Sequence, residues 1–214
     1  VGEAEEIHQR AIANDGFVLV EHTHLFRPAY RLIKDRISTL GPVRGVWSSV
    51  GDRGPYRRNT SVLWDWGSHE VALALGFMAR TPLSVDSQVL EHRELEGGIG
   101  ENCRLQLTFS EGAVADITVG NLTDRHRRFA AFFDDVVLAY DDTVPGQLME
   151  YPAQADVGEP AGEGRPILTS NEMPVTVAVR EFANAILNGE TSMQSLEQGV
   201  EVTRILAQCQ ERME

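Results

Sequence analysis

The spacing of hydrophobic positions changes along the chain, and each change marks an element. In residues 3–14, Ile7, Ala11 and Ile12 fall on one helical face, and Asp15-Gly16 closes the segment. Phe17-Val18-Leu19-Val20 is a short apolar run and predicts a buried strand. Pro28 opens a second helix, expected to reach about Thr39, because a first-turn N–H would be unpaired in any case. Gly41-Pro42 stops that helix, and residues 43–50 predict a strand. A polar, arginine-rich loop covers residues 52–59. After Trp64–His69 an apolar helix runs to about Met78, and Pro82 marks the next turn.

The middle of the chain switches to period two. Cys103, Leu105, Leu107 and Phe109 alternate with Arg104, Gln106 and Thr108, and Ile117 and Val119 alternate with Asp116 and Thr118. Such alternation predicts half-buried antiparallel strands, with Ser110-Glu111-Gly112 as the turn between these two. Residues 85–93, 129–133 and 136–140 add three candidates, giving a sheet of five or six strands. Residues 154–164, rich in Gly, Pro, Ala and Glu, read as a long loop. Two helices close the chain. The first, residues 175–187, carries Val175, Val179, Phe182 and Ile186 on one stripe and ends at Asn188-Gly189. The second is predicted to open on a capping box, with Ser195 as N-cap and Gln198 three residues on. Strands in a block followed by helices predict an α+β fold. The expected form is a large open mixed or antiparallel sheet with helices on one face; Arg104, Gln106, Asp116 and Thr118 lie on the other.

Composition narrows the class. Acids outnumber bases 32 to 19, for a net charge of −13, and the densest basic cluster is Arg125-His126-Arg127-Arg128. A nucleic-acid binder carries a basic patch or stripe, so nucleic acid is not an expected partner. The cluster reads as the polar face of a strand, with an anionic-substrate contact as the minor alternative. Cys103 and Cys209 form no CxxC unit, which argues against a disulfide framework or structural zinc. No apolar run approaches a bilayer span and no secretory signal is visible, so no membrane partner and a reducing cytoplasm are expected. Lys34 is the only lysine, and the chain starts at Val1, which suggests an internal fragment.

Asp65 and His69 stand four apart at the start of a helix, on one face. A carboxylate beside an imidazole fixes its tautomer and raises its basicity, and the pair can take an alcohol proton as hydride leaves the same carbon. The alternative is structural: Asp65 as N-cap and His69 as a first-turn residue. His22 and His24 flank Thr23 after the run 17–20. Together with His69 their spacing matches no standard zinc pattern, and no metal is expected. Gly97, Gly98 and Gly100 are followed by a strand and not a helix, so they read as a hairpin loop and not a phosphate cradle.

Four segments in order carry a family resemblance: Glu21-His22-Thr23-His24-Leu25-Phe26-Arg27-Pro28-Ala29-Tyr30, then Leu63-Trp64-Asp65-Trp66-Gly67-Ser68-His69-Glu70, then Val137-Leu138-Ala139-Tyr140-Asp141-Asp142, then Phe182-Ala183-Asn184-Ala185-Ile186-Leu187-Asn188-Gly189. Together they resemble the glucose–fructose oxidoreductase / inositol dehydrogenase / rhizopine-catabolism family, with D-x-G-x-H at Asp65–His69. The chain looks closest to the branch acting on nucleotide-linked amino sugars at the 3-hydroxyl. Members pair an N-terminal Rossmann domain with a C-terminal α/β domain whose open sheet serves substrate binding and oligomerisation.

The resemblance implies that residues 1–40 are the end of the dinucleotide-binding half with its linking helix. Residues 41–214 would be the substrate and oligomerisation domain. It makes His69 the proton acceptor or donor with Asp65 as partner, and puts His22 and Thr23 at a strand end near the nicotinamide. The expected substrate contacts are His22, Thr23, Arg58 and Trp64, where Arg53, Arg57 and Arg58 could meet an acidic substrate or equally form a solvated loop. NAD or NADP is the cofactor expected in the intact protein, with none bound by this chain alone. A sugar-type substrate and self-association through the sheet are the expected partners. Two departures stand out. The family's Glu-Lys-Pro motif and the Rossmann core are absent from the sequence, and Leu25 stands where many members have arginine. Alternatives are a non-catalytic oligomerisation domain that has lost its redox half, or an NAD-dependent glycosidase.

Overall fold

The computed structural model describes residues 1–144 and 147–213. Helix α1 (Gly2–Ala13) leads through an extended segment and a single 3-10 turn, Thr23–Phe26, into α2 (Pro28–Leu40). Strand β1 (Gly45–Arg53), the short α3 (Val62–Asp65) and α4 (Gly67–Met78) follow. The strands β2 (Ser84–Leu95), β3 (Gly98–Thr108), β4 (Val114–Gly120), β5 (Leu122–Phe132), β6 (Val136–Asp141), β7 (Gln147–Pro152) and β8 (Arg165–Leu168) then run in succession. Helices α5 (Pro174–Leu187) and α6 (Gln194–Met213) end the chain.

The strands form one open sheet in the order β2-β3-β4-β1-β5-β6-β7-β8. Only the central β1–β4 pair is parallel, because α3, α4, β2 and β3 intervene between those two strands; the rest are antiparallel. The fold is therefore α+β with a mixed sheet, as the alternation predicted. No helix among the described residues is long and apolar enough to cross a membrane.

Alternation decides which face each side chain meets. Val46, Val50, Leu105, Leu107, Ile117, Val119, Phe129 and Ala131 point to the helical layer and form one core with α2, α4 and α6. The opposite face carries Arg104 bonded through two nitrogens to Asp116, and a small apolar patch of Ala130, Phe132, Val137 and Ala139. Nine of the twelve α4 residues are buried. A helix apolar on all sides belongs in a core, and Glu70 is the one charged side chain that α4 buries.

Several expectations change. The sheet has eight strands, since β7 and the short β8 escaped notice. The run 17–20 is extended but joins no sheet. Phe17 instead stacks on Phe182 at 5.8 Å, and the Val20 N–H donates to the Ser195 hydroxyl at 2.8 Å. Ser195 therefore does not cap α6, which already begins at Gln194. Asp65 closes α3, and Trp66 sits at the N-cap of α4, so Asp65 is not a cap. The α5 stripe is largely uncovered: Val175, Val179, Phe182 and Ile186 are 40–65% exposed. The glycine hairpin is borne out, with Gly97 at φ 106° in the turn between β2 and β3.

Candidate active site

The 3-10 turn, the start of α4, β1 and β5 converge on a cavity of about 250 Å³. Thr23, His24 and Arg27 line it from one side, Trp66, His69 and Glu70 from another, and Val50 and Arg127 from the sheet. Asp65 stands at its rim. A larger hollow of about 630 Å³ lies by Leu40, Glu150, Tyr151 and Arg165, but no histidine lines it. Among the described residues no group of three or more His, Cys, Asp or Glu is placed to hold a metal.

The inner wall is a closed chain of hydrogen bonds. Arg27 Nε donates to His24 Nδ1 at 3.0 Å, so that nitrogen is an acceptor. Its Nε2–H then faces Glu70 Oε1 at 2.7 Å, and the Ser48 hydroxyl donates to Glu70 Oε2. Arg27 also donates to the Tyr140 hydroxyl at 3.1 Å and lies 5.3 Å from that ring's centre. His24 and Glu70 are 5% and 1% exposed. Burial pushes the Glu70 carboxyl up, but the facing His24 imidazole and the Ser48 hydroxyl more than offset it, so it ionises below the ordinary range.

The outer wall is different. His69 Nδ1 is buried with no hydrogen-bond partner, and no ring nitrogen of His69 is bonded among the described residues. Its ring meets His22 edge-on at 6.0 Å and His24 at 6.2 Å. Burial first, and His24 second, hold the His69 pKa below that of an ordinary imidazole, against the pull of Glu70, Glu21 and Asp65. His22, buried behind it, is pushed down to about 4 by burial, with His69 and His24 adding to the effect.

Of the residues singled out in the sequence, the fold brings His69, Thr23, Asp65 and His22 together. Thr23 donates to Glu21 Oε2 at 3.0 Å. Asp65 accepts from Arg57 Nε at 2.8 Å, so its direct partner is an arginine and not His69. Trp64 turns away, donating to Gln210 of α6 at 2.6 Å, and Trp66 takes the place at the cavity. Arg58 is exposed on the loop before α3 and does not line the cavity. Lys34 ties α2 to α4 by donating to the Gly76 carbonyl at 2.6 Å. The sequence reading missed Arg27, Ser48 and Glu70, and offered Arg127 only within the cluster 125–128, as a minor anionic-substrate alternative. A lone glutamate in an apolar helix was the available signal for Glu70, and strand alternation within residues 125–128 was the signal for Arg127.

The chain is 38% identical to an oxidoreductase-assigned protein from Magnetospirillum magnetotacticum MS-1, whose crystal structure superimposes with a TM-score of 0.90 over 97% of this chain and 68% of that one. The chain belongs to the glucose–fructose oxidoreductase / inositol dehydrogenase / rhizopine-catabolism family. Two more distant structures share the fold. A UDP-N-acetylglucosamine 3-dehydrogenase from Acidithiobacillus ferrooxidans is 16% identical with a TM-score of 0.83, over all of this chain and 67% of its own. A 3-ketoreductase from Actinomadura kijaniata, solved with NADP, is 16% identical with a TM-score of 0.77, over all of this chain and 66% of its own. This family member thus spans about two thirds of each of these three proteins. No family model and no curated protein matches it.

Proposed function

We propose that this chain is the substrate-binding and catalytic portion of an NAD(P)-dependent oxidoreductase acting on a hydroxyl of a sugar, nucleotide sugar or cyclitol. The observation that carries this reading is His69: an imidazole held neutral by burial, with no protein partner, at the wall of a polar cavity. A neutral imidazole fits a nicotinamide-dependent alcohol oxidation, in which a proton must leave the hydroxyl. When bound, the nicotinamide supplies the hydride acceptor. The Gly97–Gly98 turn joins two antiparallel strands and so lacks the strand-to-helix setting of a pyrophosphate cradle.

His69 accepts the hydroxyl proton in oxidation and returns it in reduction. Thr23 lines the cavity beside it and orients the substrate, and His22 backs the His69 ring. Asp65 acts through its charge, and its bond to Arg57 fixes the rim. The Arg27–His24–Glu70–Ser48 chain keeps the inner wall rigid. The activities named for the two distant structures, on a nucleotide sugar and on a keto group, support this substrate class. The open sheet face, with Phe132, Val137 and Trp47 on its patch, pairs with a second copy; light scattering that finds only monomer at high concentration overturns this. The function is tested by NAD(P)⁺ reduction with a panel of sugars and cyclitols, using the protein in which this chain is joined to a dinucleotide-binding domain. Turnover of at least one is expected, and reduction with none overturns the proposal.

A further inference from the structure

We infer that Arg127 selects a substrate carrying an anionic oxygen group, a carboxylate or phosphate, on the sugar unit whose hydroxyl faces His69. The inference takes from the proposed function only that the ligand is a sugar. Strand β5 places Arg127 opposite Val50 of β1, and both line the cavity with His69. Alternation sends its sequence neighbour to the other face: Arg128 pairs there with Asp141 at 2.8 Å and Glu159 at 3.2 Å. Arg125 pairs with Asp142 at 3.4 Å. Arg127 differs from both. Its main-chain N–H is held by Asp142 Oδ1 at 2.8 Å, but among the described residues its guanidinium meets no carboxylate and no hydrogen-bond acceptor.

Most other charges around the cavity have partners. Glu70 is met by His24 and Ser48 and Asp65 by Arg57, whereas Glu21 accepts from Thr23 through Oε2 and keeps a buried Oε1 without a partner. Arg27 is engaged by His24 and Tyr140. The positive charge left over among the cavity-lining residues is the Arg127 fork, in a protein whose net charge is −13 and which has carboxylates to spare. A guanidinium fork matches carboxylate and phosphate oxygens with two parallel bonds, and such charge-assisted bonds are the strong ones. At about 250 Å³ the cavity is small, so the anion that meets Arg127 sits on the reacting sugar and not on a distant group.

Calorimetry on this chain without cofactor, with glucuronate, glucose 1-phosphate and glucose as probes, reads the inference directly. At least one anion is expected to bind about 10- to 100-fold more tightly than glucose, and Arg127→Gln to abolish that preference. Preference for glucuronate assigns the anion as carboxylate, and preference for glucose 1-phosphate as phosphate. Arg127→Lys should recover part of it, keeping the charge without the fork. Thermal unfolding of Arg127→Gln should match the parent, since the guanidinium has no protein partner to lose. Equal binding of all three probes, or anion preference undiminished in Arg127→Gln, overturns the inference. Oxidation assays on the two-domain protein separate this from the function itself. Oxidation of an anionic sugar with an unchanged KM in Arg127→Gln sinks the anion inference alone, whereas absence of turnover with anion binding retained sinks the oxidoreductase reading alone.

Discussion

Two histidines 6.2 Å apart mark the two sides of the site, and they are treated in opposite ways. On the inner side His24 has both ring nitrogens engaged, by Arg27 and Glu70, and is almost wholly buried. On the outer side His69 has neither nitrogen bonded and opens onto the cavity, with the unmatched Arg127 guanidinium on the sheet beneath. Buried polar groups are ordinarily satisfied, because an orphaned one costs about 1–3 kcal/mol. The inner side obeys that rule and serves the fold. The outer side breaks it, and a polar substrate would restore the balance.

The largest effect expected from breaking this contrast is on turnover. In the two-domain protein His69→Ala should lower kcat by about 10²–10⁴, while urea unfolding stays near that of the parent. Next is the inner side. Glu70→Ala leaves the His24 N–H and the Ser48 hydroxyl buried without acceptors, and urea unfolding should show a loss of about 3–5 kcal/mol. A stability loss below about 1 kcal/mol would show that the inner chain is not what holds this wall.

The third effect is on stability against pH. His22 is kept neutral down to about 4 in the fold, whereas an unfolded chain takes up that proton near 6.5. The unfolded state therefore binds more protons below pH 6.5, and stability should decline from there to about pH 4, by about 3 kcal/mol in total. His69, shifted the same way, adds to the slope. Glu70 contributes separately: its lowered carboxyl gives stability that is present above the ordinary carboxylate pKa and is lost at more acid pH. Chemical denaturation of His22→Phe at pH 7 and pH 5 should show a smaller difference than the parent. The smallest effect belongs to Asp65→Asn. Its ion pair with Arg57 is half-exposed, so less than about 1 kcal/mol of stability is expected to change, and kcat should fall less than tenfold. A loss as large as that of His69→Ala would restore Asp65 as a direct partner.

The parts of the fold legible in sequence were those where one face alone decides the pattern. Cys103–Phe109 and Ile117–Val119 alternate because one side meets α4 and α6 and the other does not. β8 was illegible because it is a short edge strand holding Pro166. The run 17–20 had the composition of a buried strand but no neighbouring strand to pair with. The α5 stripe was legible as one helical face, but periodicity does not say whether anything covers it. At the site, D-x-G-x-H spacing pointed to His69. The partners of His24 were hidden because Glu70 and Ser48 come from distant elements, and Arg127 was hidden inside a cluster whose neighbours face elsewhere.

The central claim is that His69 holds the proton that the substrate hydroxyl loses. It is tested most directly by the pH profile of kcat/KM for sugar oxidation in the two-domain protein, parent against His69→Ala. Because burial and His24 hold the His69 pKa below the ordinary imidazole value, the parent should stay active at pH 6.5 and fall off only at more acid pH. The variant should be slow throughout and lack that acid limb. An acid limb of the same midpoint in His69→Ala would contradict the account, because it would place the titrating base on another group.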